Sequence, residues 1–227
     1  MAEPFRIVFV VYPGVTQLDF TGPYEILSRL PGAAAIVASK EGGVLRSEAG
    51  LSFADLARLA DIDACEMILV PGGPGQSEAM LDADFIAQVK RLGARARYVT
   101  AVCTGSLILA AAGLLKGKRA GTHWAYRDLL GALGVQVETD RVVHDGDTFT
   151  GGGVTAGIDI ALAVAAEVAG ERTAKMIQLS VEYAPAPPFN AGSPDSAEPE
   201  IVDGVKQIFA KFAEARRKAI ARVQEQA

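Results

Sequence analysis

Cys103 and Asp19 are the residues of this chain whose type and setting best fit covalent and proton-transfer chemistry. Cys103 follows the β-branched apolar run Tyr98-Val99-Thr100-Ala101-Val102. Thr104-Gly105-Ser106 then leads into Leu107-Ile108-Leu109-Ala110-Ala111-Ala112, an apolar helical run. A cysteine at such a strand-to-helix junction is held in a strained turn, its sulfur projected above the sheet and the helix amino terminus beside it. Both features favour a thiolate, so Cys103 is the candidate nucleophile, with an inert gap-filling thiol as the competing reading. Cys65 follows Asp61-Ile62-Asp63-Ala64 with no turn or helix behind it and reads as structural.

A thiolate needs a partner to handle its proton. Thr104 rather than histidine follows Cys103, so no dyad of adjacent Cys and His exists. Of the two histidines, His144 belongs to the Asp145-Gly146-Asp147 turn and reads as solvated, while His123 in Thr122-His123-Trp124 either faces the site or begins its helix. Asp19 lies in Gln17-Leu18-Asp19-Phe20-Thr21-Gly22-Pro23, after the first core strand. A helix-cap or turn role would suit it. Its apolar neighbours Leu18 and Phe20 would also raise its pKa toward the range of a general acid.

Two glycine segments accompany these residues. Pro71-Gly72-Gly73-Pro74-Gly75 lacks the Lys-Ser/Thr of a phosphate loop. Gly72 and Gly73 can instead bring backbone N–H groups to a reacting centre, or form a plain tight turn. In Gly151-Gly152-Gly153-Val154, Gly152 and Val154 are candidates to wall a pocket over the thiol; simple close packing of the next helix is the alternative.

The elements that must position these groups alternate between strand and helix. Ile7-Val8-Phe9-Val10-Val11-Tyr12, Ala34 to Ser39, Met67-Ile68-Leu69-Val70 and Tyr98 to Val102 are continuously apolar runs, as expected of strands buried on both faces of a parallel sheet. A more polar β segment is predicted near 44–54, and Asp145-Gly146-Asp147 marks a hairpin between Val142-Val143 and Thr148-Phe149-Thr150. Helices are predicted over about 23–30 with Pro23 near the first helical position, from Asp84 to about Ala96, from His123 to about Leu133, over 155–168, from Thr173 to Glu182 and from Pro199 to Gln224. The proline-rich arm 184–194 is predicted non-helical. These features predict an α/β sheet with helices on both faces. Residues 1–195 are expected to form one domain, with the helix of 196–227 packed on it. Such folds place sites at the carboxyl ends of strands, where the loops after Val70, Val102 and Thr150 should converge.

Composition narrows the function classes. Of 227 residues, 27 are acidic and 22 basic, a net charge of −5, so no global positive field attracts nucleic acid. Met1-Ala2-Glu3-Pro4-Phe5-Arg6 lacks a basic start before an apolar stretch. No run approaches the roughly 18 apolar residues that span a bilayer, so a cytoplasmic protein without a membrane partner is expected. Two cysteines far apart and two histidines give no zinc cluster.

Val70-Pro71-Gly72-Gly73, Val102-Cys103-Thr104-Gly105-Ser106 and Gly121-Thr122-His123-Trp124, in this order, resemble the DJ-1/PfpI superfamily, which implies a flavodoxin-like, mostly parallel fold. Gln17 to Pro23, the segment from Gly151 to Asp159 and the arm from Glu182 to Asp195 are more specifically similar to its isocyanide hydratase branch. That resemblance implies hydration of an isocyanide to an N-substituted formamide through a covalent thioimidate on Cys103. Asp19 would act as general acid/base, and Thr104 with the Gly72-Gly73 backbone would hold nascent charge. It further implies no cofactor or metal, and a homodimer to whose interface the proline arm contributes. His123 matches the superfamily motif without needing a catalytic role. Another cysteine enzyme of the superfamily, such as a glyoxalase or deglycase, and a redox-responsive non-enzymatic protein stand as alternatives. A sensor domain of a transcription regulator fits less well, because a single helix follows Asp195.

Overall fold

The computed structural model describes residues 4–225. Its strands are β1 (Phe5–Val10), β2 (Ala33–Ser39), β3 (Gly43–Arg46), β4 (Ser52–Arg58), β5 (Met67–Val70), β6 (Tyr98–Val102), β7 (Arg119–Ala120), β8 (Gln136–Val137), β9 (Val142–Asp145) and β10 (Thr148–Gly151). Eight of them form one sheet in the order β3-β4-β2-β1-β5-β6-β10-β9. The six inner strands, β4 to β10 in that order, run parallel. The pairs at the two edges, β3 with β4 and β9 with β10, are antiparallel hairpins.

The helices are α1 (Gln17–Leu27), α2 (Gln76–Leu81), α3 (Ala83–Gly93), α4 (Gly105–Ala111), α5 (Arg127–Ala132), α6 (Ala156–Ala169), α7 (Glu171–Ser180) and α8 (Pro199–Glu225). They divide between the two faces of the sheet, which explains the continuously apolar strands. Successive side chains point to opposite faces, and both faces are covered. Val8, Val10, Ile68, Val70 and Ala101 pack under α2 to α5 and α8, while Ile7, Phe9, Leu69 and Val102 pack under α1, α6 and α7. Among the described residues no helix is long and apolar enough to cross a membrane.

The first helix differs from the expectation. It begins at Gln17 rather than near Pro23, which sits inside it. Asp19 N–H donates to the Thr16 carbonyl at 3.1 Å, so the first turn forms well before the proline. Pro23 removes the hydrogen bond that the Asp19 carbonyl would accept within the helix. Packing compensates: a Cβ on Gly157 of α6 would lie 3.0 Å from Pro23 Cδ, so the ring seats directly on that glycine. Asp19 consequently sits in a helical first turn, not in a loop.

Smaller differences have similar causes. The β segment expected near 44–54 is a hairpin, the end of β3 and the start of β4 joined by a turn over 47–51 with Gly50 at φ 89°. The helix expected from His123 splits into a 3-10 turn, Trp124–Tyr126, and α5. A short helix, α2, precedes α3 directly after the Pro71 to Gly75 loop. The arm 184–194 has no helix or strand and is almost wholly exposed. Beyond it, α8 lies across α2 and α5.

Candidate active site

Cys103 has φ 56°, in the left-handed region that ordinary side chains rarely adopt, at a cost of about 1–3 kcal/mol. The surroundings hold it there. Its N–H donates to the Gly152 carbonyl at 2.9 Å, and its own carbonyl accepts from Thr122 Oγ1 at 2.9 Å and Ser106 Oγ at 3.2 Å. Two residues on, a Cβ at Gly105 would run into the Val70 carbonyl, so the tight passage from β6 into α4 requires glycine there.

Asp19 is fully buried at the same end of the sheet. Gly72 N–H donates to its Oδ2 at 2.8 Å, whereas Oδ1 is buried without a partner among the described residues. Burial raises the Asp19 pKa from its ordinary 3.8 to about 7, against the opposing pull of the Gly72 amide and of the neighbouring Cys103 thiol. The shift has the direction expected of an acid in an apolar setting, and its cause is burial of the whole carboxyl.

The thiol departs from expectation. Cys103 is only 7% exposed, and burial followed by the Asp19 charge pushes its pKa well above the usual thiol value. The Thr104 amide and the Arg216 charge pull the other way and are outweighed. The resting site is therefore a thiol beside a titrating carboxyl, not an exposed thiolate. The seven-residue α4 and the strained turn do not overcome desolvation of the sulfur. Cys65 is likewise buried, with its pKa pushed up to about 11.

Both glycine segments reach the site. Gly72 N–H is held by Asp19, and Gly73 N–H donates to the buried Thr104 Oγ1 at 3.2 Å, so in this conformation the pair orients the acid and the hydroxyl. A Cβ on Gly72 would come within 2.6 Å of Thr104 N and Oγ1 and 2.9 Å of Asp19 Oδ2; only glycine fits. Gly152 holds the Cys103 amide, yet a Cβ placed on it meets nothing within 4 Å, so open space adjoins the elbow there. Val154 is half-buried, in the loop before α6.

The histidines separate cleanly. His123 caps the 3-10 turn, its Nδ1 accepting from Ala125 N–H at 3.3 Å, and burial with the charges of Arg216 and Arg127 lowers its pKa to about 4. It is neutral near pH 7. His144 is exposed and stacks on Phe149 with ring centroids 3.9 Å apart.

Sequence reasoning missed Tyr12 and Arg216. The buried Tyr12 phenol donates to the Pro71 carbonyl at 2.9 Å, and its pKa is raised by burial and by the charges of Asp19 and Cys103. Arg216 of α8 is 3% exposed. Its Nε donates to Gln76 Oε1 at 3.0 Å, and its Nη2 to the Gly73 carbonyl at 3.3 Å. By itself the Arg216-Arg217-Lys218 run reads as a basic helix end. The available signal was helical phase: Arg216 shares a face with Phe209, Phe212, Ala219 and Ile220.

A cysteine in a strained elbow beside a buried carboxyl, on a parallel sheet with helices on both faces, defines a cysteine–carboxylate protein of flavodoxin-like architecture. The chain belongs to the DJ-1/PfpI family, which it matches over residues 5–167. It is 49% identical over 202 residues to an isonitrile hydratase from Pseudomonas putida, covering 89% of each chain. A crystal structure of a THiJ/PfpI family protein from Pseudomonas syringae superimposes with a TM-score of 0.92 at 38% identity, covering 96% of this chain and 90% of that one. The Drosophila melanogaster DJ-1beta structure shares the fold, with a TM-score of 0.73 at 22% identity over 80% of this chain and all of that one.

Proposed function

We propose that this protein hydrates an isocyanide to the N-substituted formamide, with Cys103 as nucleophile and Asp19 as general acid/base, as a hydro-lyase without an organic cofactor. The observation that carries the reading is the fully buried Asp19 carboxyl, one oxygen held by the Gly72 amide and the other without a partner among the described residues, its pKa raised to about 7 and its charge acting on the Cys103 thiol in the strained elbow. The likeness to the Pseudomonas putida isonitrile hydratase supports the choice of substrate.

The chemistry follows from one shuttled proton. Asp19 as carboxylate takes the Cys103 proton while sulfur bonds to the terminal isocyanide carbon. The carbon, left with an electron pair, then receives that proton from Asp19, giving the thioimidate R–N=CH–S-Cys. Water adds to the C=N carbon as nitrogen gains a proton. The tetrahedral adduct collapses to R–NH–CHO and expels the thiol, restoring Cys103. Thr104 steadies the adduct through its hydroxyl. Gly72 and Gly73 act through Asp19 and Thr104, and Gly152 and Val154 border the space left for the substrate.

The buried free thiols suit a reducing cytoplasm. We further infer a homodimer, supported by exposed Met176 and Leu179 of α7 and Phe189 of the proline arm, and tested by light scattering. The test of the activity is infrared spectroscopy of an aryl isocyanide. Wild type should bleach the isocyanide stretch and release the formamide, and Cys103→Ala should do neither. An unchanged stretch with folded wild type overturns the proposal.

A further inference from the structure

We propose that Arg216, brought in by the C-terminal helix, is a positioning residue of the Cys103 site. It supplies the cation that offsets the negative charge carried between Cys103 and Asp19, and it clamps the Gly72-Gly73 loop through the Gly73 carbonyl. The inference rests on the nucleophile reading of Cys103 but not on which electrophile the thiol attacks.

A buried guanidinium calls for an anion. Desolvating a cation costs several kcal/mol unless a partner offsets it, which is why buried arginines are nearly always paired. Arg216 takes part in none of the ion pairs among the described residues. Its Nε and Nη2 donate to neutral oxygens of Gln76 and Gly73, and its Nη1 is buried with no partner. The Tyr126 ring lies 4.0 Å beneath the guanidinium and the Phe212 ring 5.6 Å away, which compensates the charge in part. Gln76 is itself fully buried and neutral. The network therefore keeps a net positive charge inside the protein.

The anionic counterpart is the site. The groups acting on the Cys103 thiol are Asp19 from α1, Thr104 at the head of α4, and Arg216 from α8; Tyr12 after β1 and Tyr126 in the 3-10 turn sense the thiol in turn. Of the charged groups, Arg216 alone favours the thiolate. It also acts on Tyr12 and Tyr126, and it helps hold His123 neutral. The clamp has a mechanical side as well. Gly73 gives its N–H to Thr104 and its carbonyl to Arg216, while the neighbouring Gly72 N–H holds Asp19. The arginine thus helps hold the loop that orients both the acid and the hydroxyl, together with the Gln76 backbone amide on the same Gly73 carbonyl and the Thr16 amide on the Gly72 carbonyl.

The test uses the full-length protein and reads iodoacetamide alkylation of Cys103 against pH, with the modified peptide identified by mass spectrometry. Arg216→Met should move the alkylation midpoint upward by about one pH unit, a roughly tenfold slower reaction at any pH below it. It should lower kcat for an aryl isocyanide more than it raises KM. Arg216→Lys should restore the alkylation profile, which a purely structural role would not predict. Gln76→Glu keeps the arginine but neutralises it with an ion pair, and should shift the midpoint in the same direction even if Arg216→Met fails to fold. A wild-type alkylation profile in folded Arg216→Met, or in Gln76→Glu, overturns the proposal. Wild type that alkylates normally but leaves isocyanide untouched would overturn the hydratase reading while the Arg216 profiles still decide this one.

Discussion

The Gly72 amide donates to one oxygen of Asp19 at 2.8 Å and leaves the other oxygen buried without a partner. That asymmetry spends one oxygen of the carboxyl on structure and leaves the other with its hydrogen-bonding capacity unused among the described residues. It also ties the acid to a loop in which only glycine fits.

If Cys103 forms the covalent adduct, Cys103→Ala should lose all turnover while keeping its circular dichroism spectrum. Cys65→Ala should retain most activity, because that thiol is buried away from the site and its pKa stands at about 11. Intact-protein mass spectrometry after substrate addition should place any adduct on Cys103. Turnover by Cys103→Ala above the uncatalysed rate would remove the nucleophile.

The pH profile should identify the base. Asp19 must be ionised to accept the thiol proton, so kcat/KM should climb as pH rises through about 7 and level off above it. An inflection there invites assignment to histidine, but His123 titrates at about 4. The limb should persist in His123→Asn and vanish in Asp19→Asn, whose residual activity should be lower by roughly 10²–10⁴. Loss of the limb in the histidine variant alone would transfer the role to His123.

Stability should carry the same signature with the opposite sign. Burial raises the folded pKa of Asp19 above its ordinary 3.8, so the folded state prefers the protonated carboxyl. Its contribution is full below pH 3.8 and is lost as pH rises through about 7. Relative to Asp19→Asn, wild type should lose up to about 4 kcal/mol between pH 4 and 8, at 1.36 kcal/mol per pKa unit. Urea unfolding at several pH values measures the difference; parallel curves for the two proteins would refute it.

Gly72→Ala should be damaging out of proportion to one methyl group. The added Cβ would press on Thr104 and on Asp19 Oδ2, so the loop must shift. A stability loss of about 1–3 kcal/mol is expected from overpacking, together with a fall in turnover larger than that of Gly152→Ala, whose Cβ enters open space. Equal activity in the two variants would show that the Gly72 contact does not orient the acid.

Local sequence determined much of this protein. Continuous apolar runs such as Met67 to Val70 report burial on both faces, a property of each strand and its immediate neighbours, and so they specified a parallel sheet with helices on both sides. The abrupt change at Val102-Cys103-Thr104 specified the elbow, because a strand that turns straight into a helix leaves few backbone conformations for the residue between. Asp19, flanked by Leu18 and Phe20, was recognisable as an acid in an apolar setting. Tertiary structure alone decided the rest. Pro23 was misread as a helix start because its seat on Gly157 of α6 compensates for a lost hydrogen bond, and that contact is invisible locally. The protonation of Cys103 depends on how completely the fold buries it, since desolvation is a property of the whole surroundings. Arg216 reaches Gln76 across 140 residues of chain, and a charge that looks solvated in a basic helix end becomes part of the site only when that helix is laid across α2.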